Sequence, residues 1–327
     1  NAPHLNYQII KGGDTVKISD SFTADFFDVT HNIPDTIGIV LKTPVGNFLH
    51  PGEYKLDRDG DESKTLDAFK KVAKNNQILA LFQDSTNAER PGYSLPEKEV
   101  QRNIEILFKK ARGRIVLATF ASLLDRLYEV IKIADQLGKV VAISGYSMKN
   151  NIQIAQNLGY MKIRKDLLVN IEEINKYPDN KVVILCTGAQ GEQNASLMRI
   201  VNGEHRQIRV KPGDTVIFSS SVIPGNERGV QMLKDNLARQ GAAVVTSQEM
   251  DVHSSGHAPQ EEIKEVLNAI KPKYYVPIHG YYFMRFTNAK VAEEAGIKRE
   301  NSIIVDNGQF IEFRKDGFRV TKETIPA

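Results

Sequence analysis

Five residues with metal-ligand or acid–base chemistry stand at or just past the ends of separate strand-like runs: His31, Glu53, Asp84, His257 and His279. Neutral imidazoles and carboxylates are donors that zinc accepts, and a residue at a strand exit faces solvent and ligand rather than core. The pattern points to a metal-dependent hydrolase. Each residue also has a plainer reading. His31, after Phe26–Val29 and before Ile33-Pro34-Asp35, is by itself more readily a solvated loop histidine, and Asp84 in Asp84-Ser85-Thr86-Asn87 equally caps a turn. His257 before Ala258-Pro259 fits a helix entry, and His279 an ordinary strand end. These readings weaken because the segments occur together, in one order, along one chain.

The elements that must position these residues fall into two textures. Over residues 1–60 short extended runs, Leu5–Ile10, Thr15–Ile18, Ala24–Val29, Gly38–Lys42 and Asn47–His50, are split by glycine, proline and aspartate signals and predict a meandering sheet. Helix–strand alternation then begins, with Thr65–Lys74 helical and Gln77–Gln83 a strand that ends on Asp84. Between about residues 94 and 248 the alternation is regular enough for βαβ units on a parallel sheet. Val100, Ile104, Leu107 and Ala111 share one helical face that Gly113 closes, and Ile115–Phe120, Val140–Ser144, Val182–Cys186 and Thr215–Ser219 read as strands. The final stretch carries a helix begun by Pro259, a strand Tyr274–Ile278, a helix Phe283–Ala295, and hairpin signals at Asn307-Gly308 and Asp316-Gly317. One discontinuous domain, 1–90 with 249–327, is expected, with a Rossmann-like α/β block over 91–248 inserted in it.

Composition narrows the function classes. A chain of 327 residues with 25% charged and 41% hydrophobic residues is an ordinary globular protein of two or three domains. Its 43 basic against 40 acidic residues leave +3, so a polyanion would be held by local pockets and not by a global field. The single Cys186 lies in an apolar run and reads as a small buried thiol. With no internal disulfide, no run of roughly 18 apolar residues and the polar start Asn1-Ala2-Pro3-His4, a cytoplasmic location is expected. The first residue is not Met, so a preceding segment, removed or left out, is expected too.

The order Thr30–Asp35, His50–Lys55, Gln83–Gly92, Cys186–Glu192, Ser219–Glu227, His253–Ala258 and Pro277–Gly280 resembles ribonuclease J, a β-CASP family of the metallo-β-lactamase superfamily. The resemblance runs over nearly the whole chain. It reaches neither the first lactamase half of that family nor its small C-terminal domain. It implies a partial αββα metallo-β-lactamase domain with an inserted β-CASP domain, two zinc ions per complete centre, and endonucleolytic and 5′-to-3′ exonucleolytic cleavage of RNA. Single-stranded, 5′-monophosphorylated RNA is the implied substrate, a homodimer or homotetramer the implied assembly. By the same resemblance His31, Glu53 and His279 take the places of metal ligands. His257 takes that of the acid that protonates the leaving oxygen, with Asp84 orienting it. Thr187–Glu192, with Gly188 and Gln190, joins a strand to a helix where backbone amides suit an anion. Ser219, Ser221, His253, Ser254 and Ser255 lie in segments that resemble those holding RNA phosphates, although any one serine is as readily part of a satisfied polar loop.

The sequence also departs from the family pattern. The His-x-His-x-Asp-His signature is absent from all 327 residues. About three of the roughly seven ligands of a two-zinc centre remain, and weak or no metal binding and no activity of this chain alone are expected. Glu53 stands where the family has Asp, and its extra methylene displaces the carboxylate by about 1.5 Å against a metal–ligand tolerance of about 0.2 Å. Tyr281 and Pro51 replace the family's Glu and Thr. A divergent, non-catalytic RNA-binding or assembly protein is therefore the alternative reading.

Overall fold

A computed structural model describes residues 7–325. In chain order it places β1 (Thr15–Lys17), β2 (Thr23–Asp28), β3 (Ile37–Thr43), β4 (Gly46–His50), α1 (Lys64–Asn75) and β5 (Ile78–Asp84). Then follow α2 (Glu97–Lys110), β6 (Ile115–Ala118), α3 (Leu124–Gln136), β7 (Val140–Ser144), α4 (Tyr146–Asn157), β8 (Leu168–Val169), β9 (Val182–Cys186), α5 (Ser196–Val201), β10 (Thr215–Phe218), α6 (Glu227–Arg239) and β11 (Ala243–Val245). The chain closes with α7 (Gln260–Ile270), β12 (Tyr274–Ile278), α8 (Tyr282–Glu294), β13 (Gln309–Arg314) and β14 (Gly317–Thr324). It forms two compact units, Asn1–Ser94 with Gly256–Ala327, and Leu95–Ser255. The divisions thus fall a few residues beyond 90 and 248. No helix among the described residues is long and apolar enough to cross a membrane.

The discontinuous unit is built on a six-stranded sheet in the order β1-β2-β3-β4-β5-β12. β1 to β4 form an antiparallel meander, and β4, β5 and β12 are parallel neighbours. β5 reads Ile-Leu-Ala-Leu-Phe-Gln-Asp and is buried over most of its length, as a central parallel strand requires. One face carries the core of Leu49, Phe69, Leu81, Ile263, Val266 and Tyr275 under the helices. The other carries Ala80, Tyr274 and Val276 with Phe48, Phe313 and Phe318, beside an apolar hollow lined by Phe22, Phe26, Ile39 and Leu41. A sheet apolar on both faces has the pattern of an interior layer.

The continuous unit has an all-parallel sheet in the order β11-β10-β6-β9-β7-β8. Alternation along β9 sends Val183 and Leu185 to the core beneath α2, α3 and α4, and Ile184 and Cys186 to the core beneath α5 and α6. This is a doubly wound α/β layer. Cys186 is fully buried, and burial pushes its thiol up to about 12.

Three local expectations are corrected. α2 ends at Lys110 with its cap at Ala111, so Gly113 is not its terminator; a Cβ there would lie 2.4 Å from the Gly213 carbonyl oxygen, and close approach is what requires glycine. Asp316-Gly317 joins β13 to β14 as a hairpin, whereas Asn307-Gly308 is a turn that leads into β13. Of the run Leu5–Ile10, residues 7–10 are not in a strand, and Leu5 and Asn6 lie outside the described residues.

One buried carboxylate fixes the segment that carries Glu53. Glu262 on α7 is fully buried and accepts the amides of Leu56 at 2.7 Å and of Ser94 at 2.7 Å. Removing it strands both N–H groups without a partner. Glu262→Ala is expected to lower stability by about 2–4 kcal/mol in urea unfolding, with Glu262→Gln intermediate because it keeps one acceptor. An unchanged midpoint for Glu262→Ala would show that the loop is held by other contacts.

Candidate functional site

Four segments of the discontinuous unit line one cavity of about 430 Å³, and its lining includes His31, His50, Glu53, Asp84 and His279. Asp84 ends β5 and pairs with Ile278, the last residue of β12, so His279 emerges beside it. The His279 carbonyl accepts the Ser85 amide at 3.1 Å. His279 holds φ +51, a conformation uncommon for a side-chain-bearing residue, and both its ring nitrogens are bonded. His31 follows β2, where the Thr30 carbonyl accepts the Lys55 amide at 2.9 Å and so ties the His31 and Glu53 segments together. His257 enters through a loop whose carbonyl accepts from Asn87 Nδ2 at 2.8 Å.

Glu53 lies between two imidazoles, with His31 Nε2 at 3.1 Å from Oε2 and His279 Nε2 at 3.0 Å from Oε1. Asp84, only 4% exposed, receives His257 Nδ1 at 2.7 Å on Oδ2 and His279 Nδ1 at 3.0 Å on Oδ1. Thr86 donates to the same Oδ1 through its amide and its hydroxyl. The structure thus brings together all five residues singled out by sequence. It places His257 Nε2 4.0 Å from Glu53 Oε2, facing the cluster.

The electrostatics follow from these contacts. Hydrogen bonds first from His279 and then from His31 hold the Glu53 carboxyl well below the usual carboxylate range. Burial pushes Asp84 upward, but the hydrogen bonds from His257 and His279 outweigh it and keep the group ionised at low pH. The His279 imidazole, bonded to Asp84 and then to Glu53, is pushed up to about 10. Its proton stands between the two carboxylates.

The donor set fits a divalent cation. Two groups, His31–Glu53–His257 and Asp84–His257–His279, each hold their ligand atoms within 4.8 Å of one another. Two ligands at about 2.1 Å from a tetrahedral zinc lie about 3.4 Å apart. The pairs around Glu53 Oε2, at 3.1 and 4.0 Å, straddle that value. His31 Nδ1 lies 2.8 Å from the Gly256 carbonyl, which can only accept, so Nδ1 carries a hydrogen and Nε2, which faces Glu53, is the atom that ligates once it is deprotonated. A Cβ on Gly256 would approach His31 Cε1 and Asn32 to 2.7 Å, so only glycine allows this carbonyl its place.

The continuous unit places the remaining candidates differently from expectation. Ser219 is fully buried and its hydroxyl donates to the Val252 carbonyl at 2.7 Å, while Ser254 donates to Leu95 at 2.6 Å. Gln190 is buried, donating to the Ser221 carbonyl at 2.7 Å and accepting the Ile223 amide at 2.8 Å. The Gln190 amide donates to the Glu192 carboxylate at 3.1 Å, so an anion of the chain itself already occupies that turn. Gly188, buried at φ +107, shapes the turn. These four residues hold loops, because a buried polar group must find its partner within the fold. His253, Ser255 and Ser221 keep partial exposure.

Sequence reasoning missed several supporting residues. Arg126, whose side chain is 1% exposed, pairs with Glu97 at 2.6 Å and donates to the Ser254 carbonyl at 3.2 Å and to His253 Nδ1 at 2.5 Å. A guanidinium has no acceptor, so His253 Nδ1 accepts and its hydrogen sits on Nε2. Asn288, fully buried on α8, donates to the Asp84 carbonyl and to Ser85, and accepts from the Tyr275 hydroxyl. An asparagine beside Ala289, Val291 and Ala292 was the available signal. A lone arginine on the apolar face of α3 was another.

Comparison with known proteins follows the same lines. Residues 112–237 match the family model described as "Ribonuclease J, beta-CASP domain", and residues 248–300 that described as "Zn-dependent metallo-hydrolase RNA specificity domain". The chain is 38% identical to "Ribonuclease J2" of Bacillus subtilis over 303 residues, covering 92% of this chain and 54% of that protein. It is 39% identical to "Ribonuclease J" of Thermus thermophilus over 323 residues, covering 98% of this chain and 55% of the relative. The chain therefore spans about half the length of the curated relatives it matches. A crystal structure of a protein of unknown function from Enterococcus faecalis shares the fold, with a TM-score of 0.63 at 14% identity over 97% of this chain and 68% of that one.

Two predictions test the geometry. Because the folded pKa of His279 is raised from 6.5 to about 10, its ion pairs stabilise fully below about pH 6.5 and are lost as pH rises through 10. Asp84 and Glu53 are lowered, so their share is present above about pH 5 and lost on acidification. In chelator, the stability difference between the parent and His279→Ala is expected to peak between about pH 5 and 6.5 and to shrink on both sides; a difference flat from pH 5 to 10 would contradict the pairing. In nitrogen-resolved NMR, His253 is expected to carry its proton on Nε2, and Arg126→Met to release that preference; a Nδ1–H tautomer in the parent would remove the proposed donor geometry.

Proposed function

This chain belongs to the ribonuclease J family of β-CASP metallo-hydrolases, and from that premise we propose that it carries part of a metal-dependent centre for hydrolysis of RNA phosphodiester bonds. The observation that carries the proposal is the position of Glu53, with one carboxylate oxygen facing His31 and the other facing His279. Glu53 would share the holding of a metal with both imidazoles, which the longer glutamate reaches from its own loop.

His31, Glu53 and His279 would hold zinc, which when bound activates water and offsets negative charge developing on phosphate. The other residues act through protons. Asp84 accepts Nδ1–H of His257, which fixes the ring and leaves Nε2 as the atom that gives a proton to the leaving ribose oxygen. Thr86 and Asn288 hold Asp84 from its side chain and its carbonyl respectively. His50 Nδ1 accepts the Gly52 amide at 2.9 Å, which places its hydrogen on Nε2 and sets it apart from the ligands.

Finer parts of the proposal rest on family membership alone. They are two zinc ions in a complete centre, endonucleolytic and 5′-to-3′ exonucleolytic action on 5′-monophosphorylated single-stranded RNA, a homo-oligomer and a cytoplasmic setting. His253, Ser255 and Ser221 are the side chains proposed to meet RNA phosphates. The three ligands of this chain are fewer than a two-metal centre needs, so we propose weak zinc binding and little cleavage by this polypeptide alone. The substitution of Glu for the family's Asp at 53 favours a second reading, a non-catalytic RNA-binding or assembly protein.

The test compares zinc content and cleavage of 5′-monophosphorylated RNA by this chain alone and fused to the His-x-His-x-Asp-His-bearing half of a ribonuclease J relative. The fusion is expected to gain both. In it, Glu53→Ala should lose zinc and cleavage together, and His257→Asn should keep zinc while slowing cleavage about 10²–10⁴-fold. Zinc lost in step with activity in His257→Asn would make His257 a ligand instead of the acid. RNA bound and left intact by the fusion would establish the second reading.

A further inference from the structure

We propose that the continuous unit carries a nucleotide-binding pocket at the carboxyl ends of β7 and β9, with a polar floor for phosphate and an aromatic rim for the base. The cavity is about 580 Å³, of mononucleotide size, and it lies where doubly wound sheets hold ligands. Of the segments given phosphate roles above only Thr187 lines it, and the pocket does not depend on the cleavage reading.

Its floor is a directional chain of hydrogen bonds. His205 Nδ1 accepts the amides of Gln207 at 3.3 Å and Ile208 at 3.2 Å, so the ring hydrogen is on Nε2. That hydrogen is donated to Ser144 Oγ at 2.9 Å. Ser144 is bonded in turn to Ser196, and because a hydroxyl oxygen carries two lone pairs either serine can be the donor. In either direction one hydroxyl hydrogen of the pair is left over at the wall of the cavity that both serines line. This order excludes Ser144 as a nucleophile activated by His205, because the nitrogen that would have to take its proton already carries one. It suits a ligand that only accepts, and phosphate is such a ligand.

The walls agree with the floor. Lys149 and Arg199 line the cavity and form no ion pair among the described residues; Glu172 is the carboxylate that faces them. Burial, and then the fields of Arg199, Arg209 and Lys149, push His205 below its ordinary value and keep it a neutral donor. α4 opens at Gly145 with no side-chain cap, which leaves first-turn amides open at the same cavity. Gly145 holds φ +125, and a Cβ there would meet Thr187 Oγ1 at 2.8 Å, so glycine lets the two strand ends close on each other. Tyr146, 87% exposed at the rim, offers a ring on which a base can stack.

The shared chemistry is a phosphate joined to a nucleoside, from a free nucleotide or from an RNA strand. The experiment titrates this chain by calorimetry with adenosine 5′-monophosphate, with inorganic phosphate, and with an RNA pentanucleotide lacking a 5′ phosphate. Saturable binding of the mononucleotide is expected, weakened about tenfold or more by Arg199→Gln and by Lys149→Gln, two exposed positions on different elements. Tyr146→Ala should weaken the mononucleotide but not inorganic phosphate. Competition by the pentanucleotide would identify RNA as the source, and its failure to compete a free nucleotide. The proposal is overturned if no nucleotide binds saturably, or if Arg199→Gln and Lys149→Gln bind as the parent does.

Discussion

A nearly buried carboxylate, Asp84, sets the terms for the discontinuous unit. Taking an ionised carboxylate out of water costs several kcal/mol unless partners replace the lost hydration, and one partner is too few for two oxygens. Asp84 meets that demand with His257, His279 and both donors of Thr86. These groups come from the loop before α7, the exit of β12 and the turn after β5. The parallel register that sets Ile278 opposite Asp84, and the Asn87 and Asn288 side chains that bind neighbouring carbonyls, are what satisfying this one group requires of the fold.

Glu53 extends the same logic outward. His279 uses one nitrogen for Asp84 and the other for Glu53, so a single positive ring separates two negative groups. Without that charge two carboxylates would share one cluster with nothing between them to offset their repulsion. The cluster is therefore built to hold positive charge between Glu53 and its neighbours. A proton on His279 fills that role, and a divalent cation, carrying more charge on less volume, would compete for it.

Much of this was legible in the sequence, and the reason lies in period and position. Apolar runs marked β5 and β12, helical spacing marked α2 and α3, and residues at strand exits announced His31, Asp84 and His279 before any contact was known. Burial of polar side chains was not legible. Ser219, Ser254 and Gln190 have the composition of a phosphate loop, but each is turned inward to bind a backbone group, and sequence carries no sign of which way a hydroxyl faces. Gly113 likewise looks like a helix terminator, because a close approach to Gly213, a hundred residues away in sequence, leaves no local trace. Arg126 and Asn288 were visible only as exceptions, polar residues on apolar helix faces, and such exceptions are where tertiary demand overrides local pattern.

The histidines of the two units divide by what stands at Nδ1, and that division argues for different ligands. In the cluster of the discontinuous unit, Nδ1 of His31, His257 and His279 faces an acceptor, a carbonyl or the Asp84 carboxylate. The hydrogen is thereby drawn to Nδ1, and Nε2 of each ring is oriented toward Glu53 as an atom that can offer a lone pair once it is deprotonated. In the continuous unit, Nδ1 of His205 faces two backbone amides and Nδ1 of His253 faces the Arg126 guanidinium, both donors. The hydrogen is thereby forced to Nε2, and these rings can only donate through it. A cation needs the first arrangement and a phosphate the second. The same side chain thus serves opposite charges, and the neighbour that fixes its tautomer, more than the histidine itself, decides which.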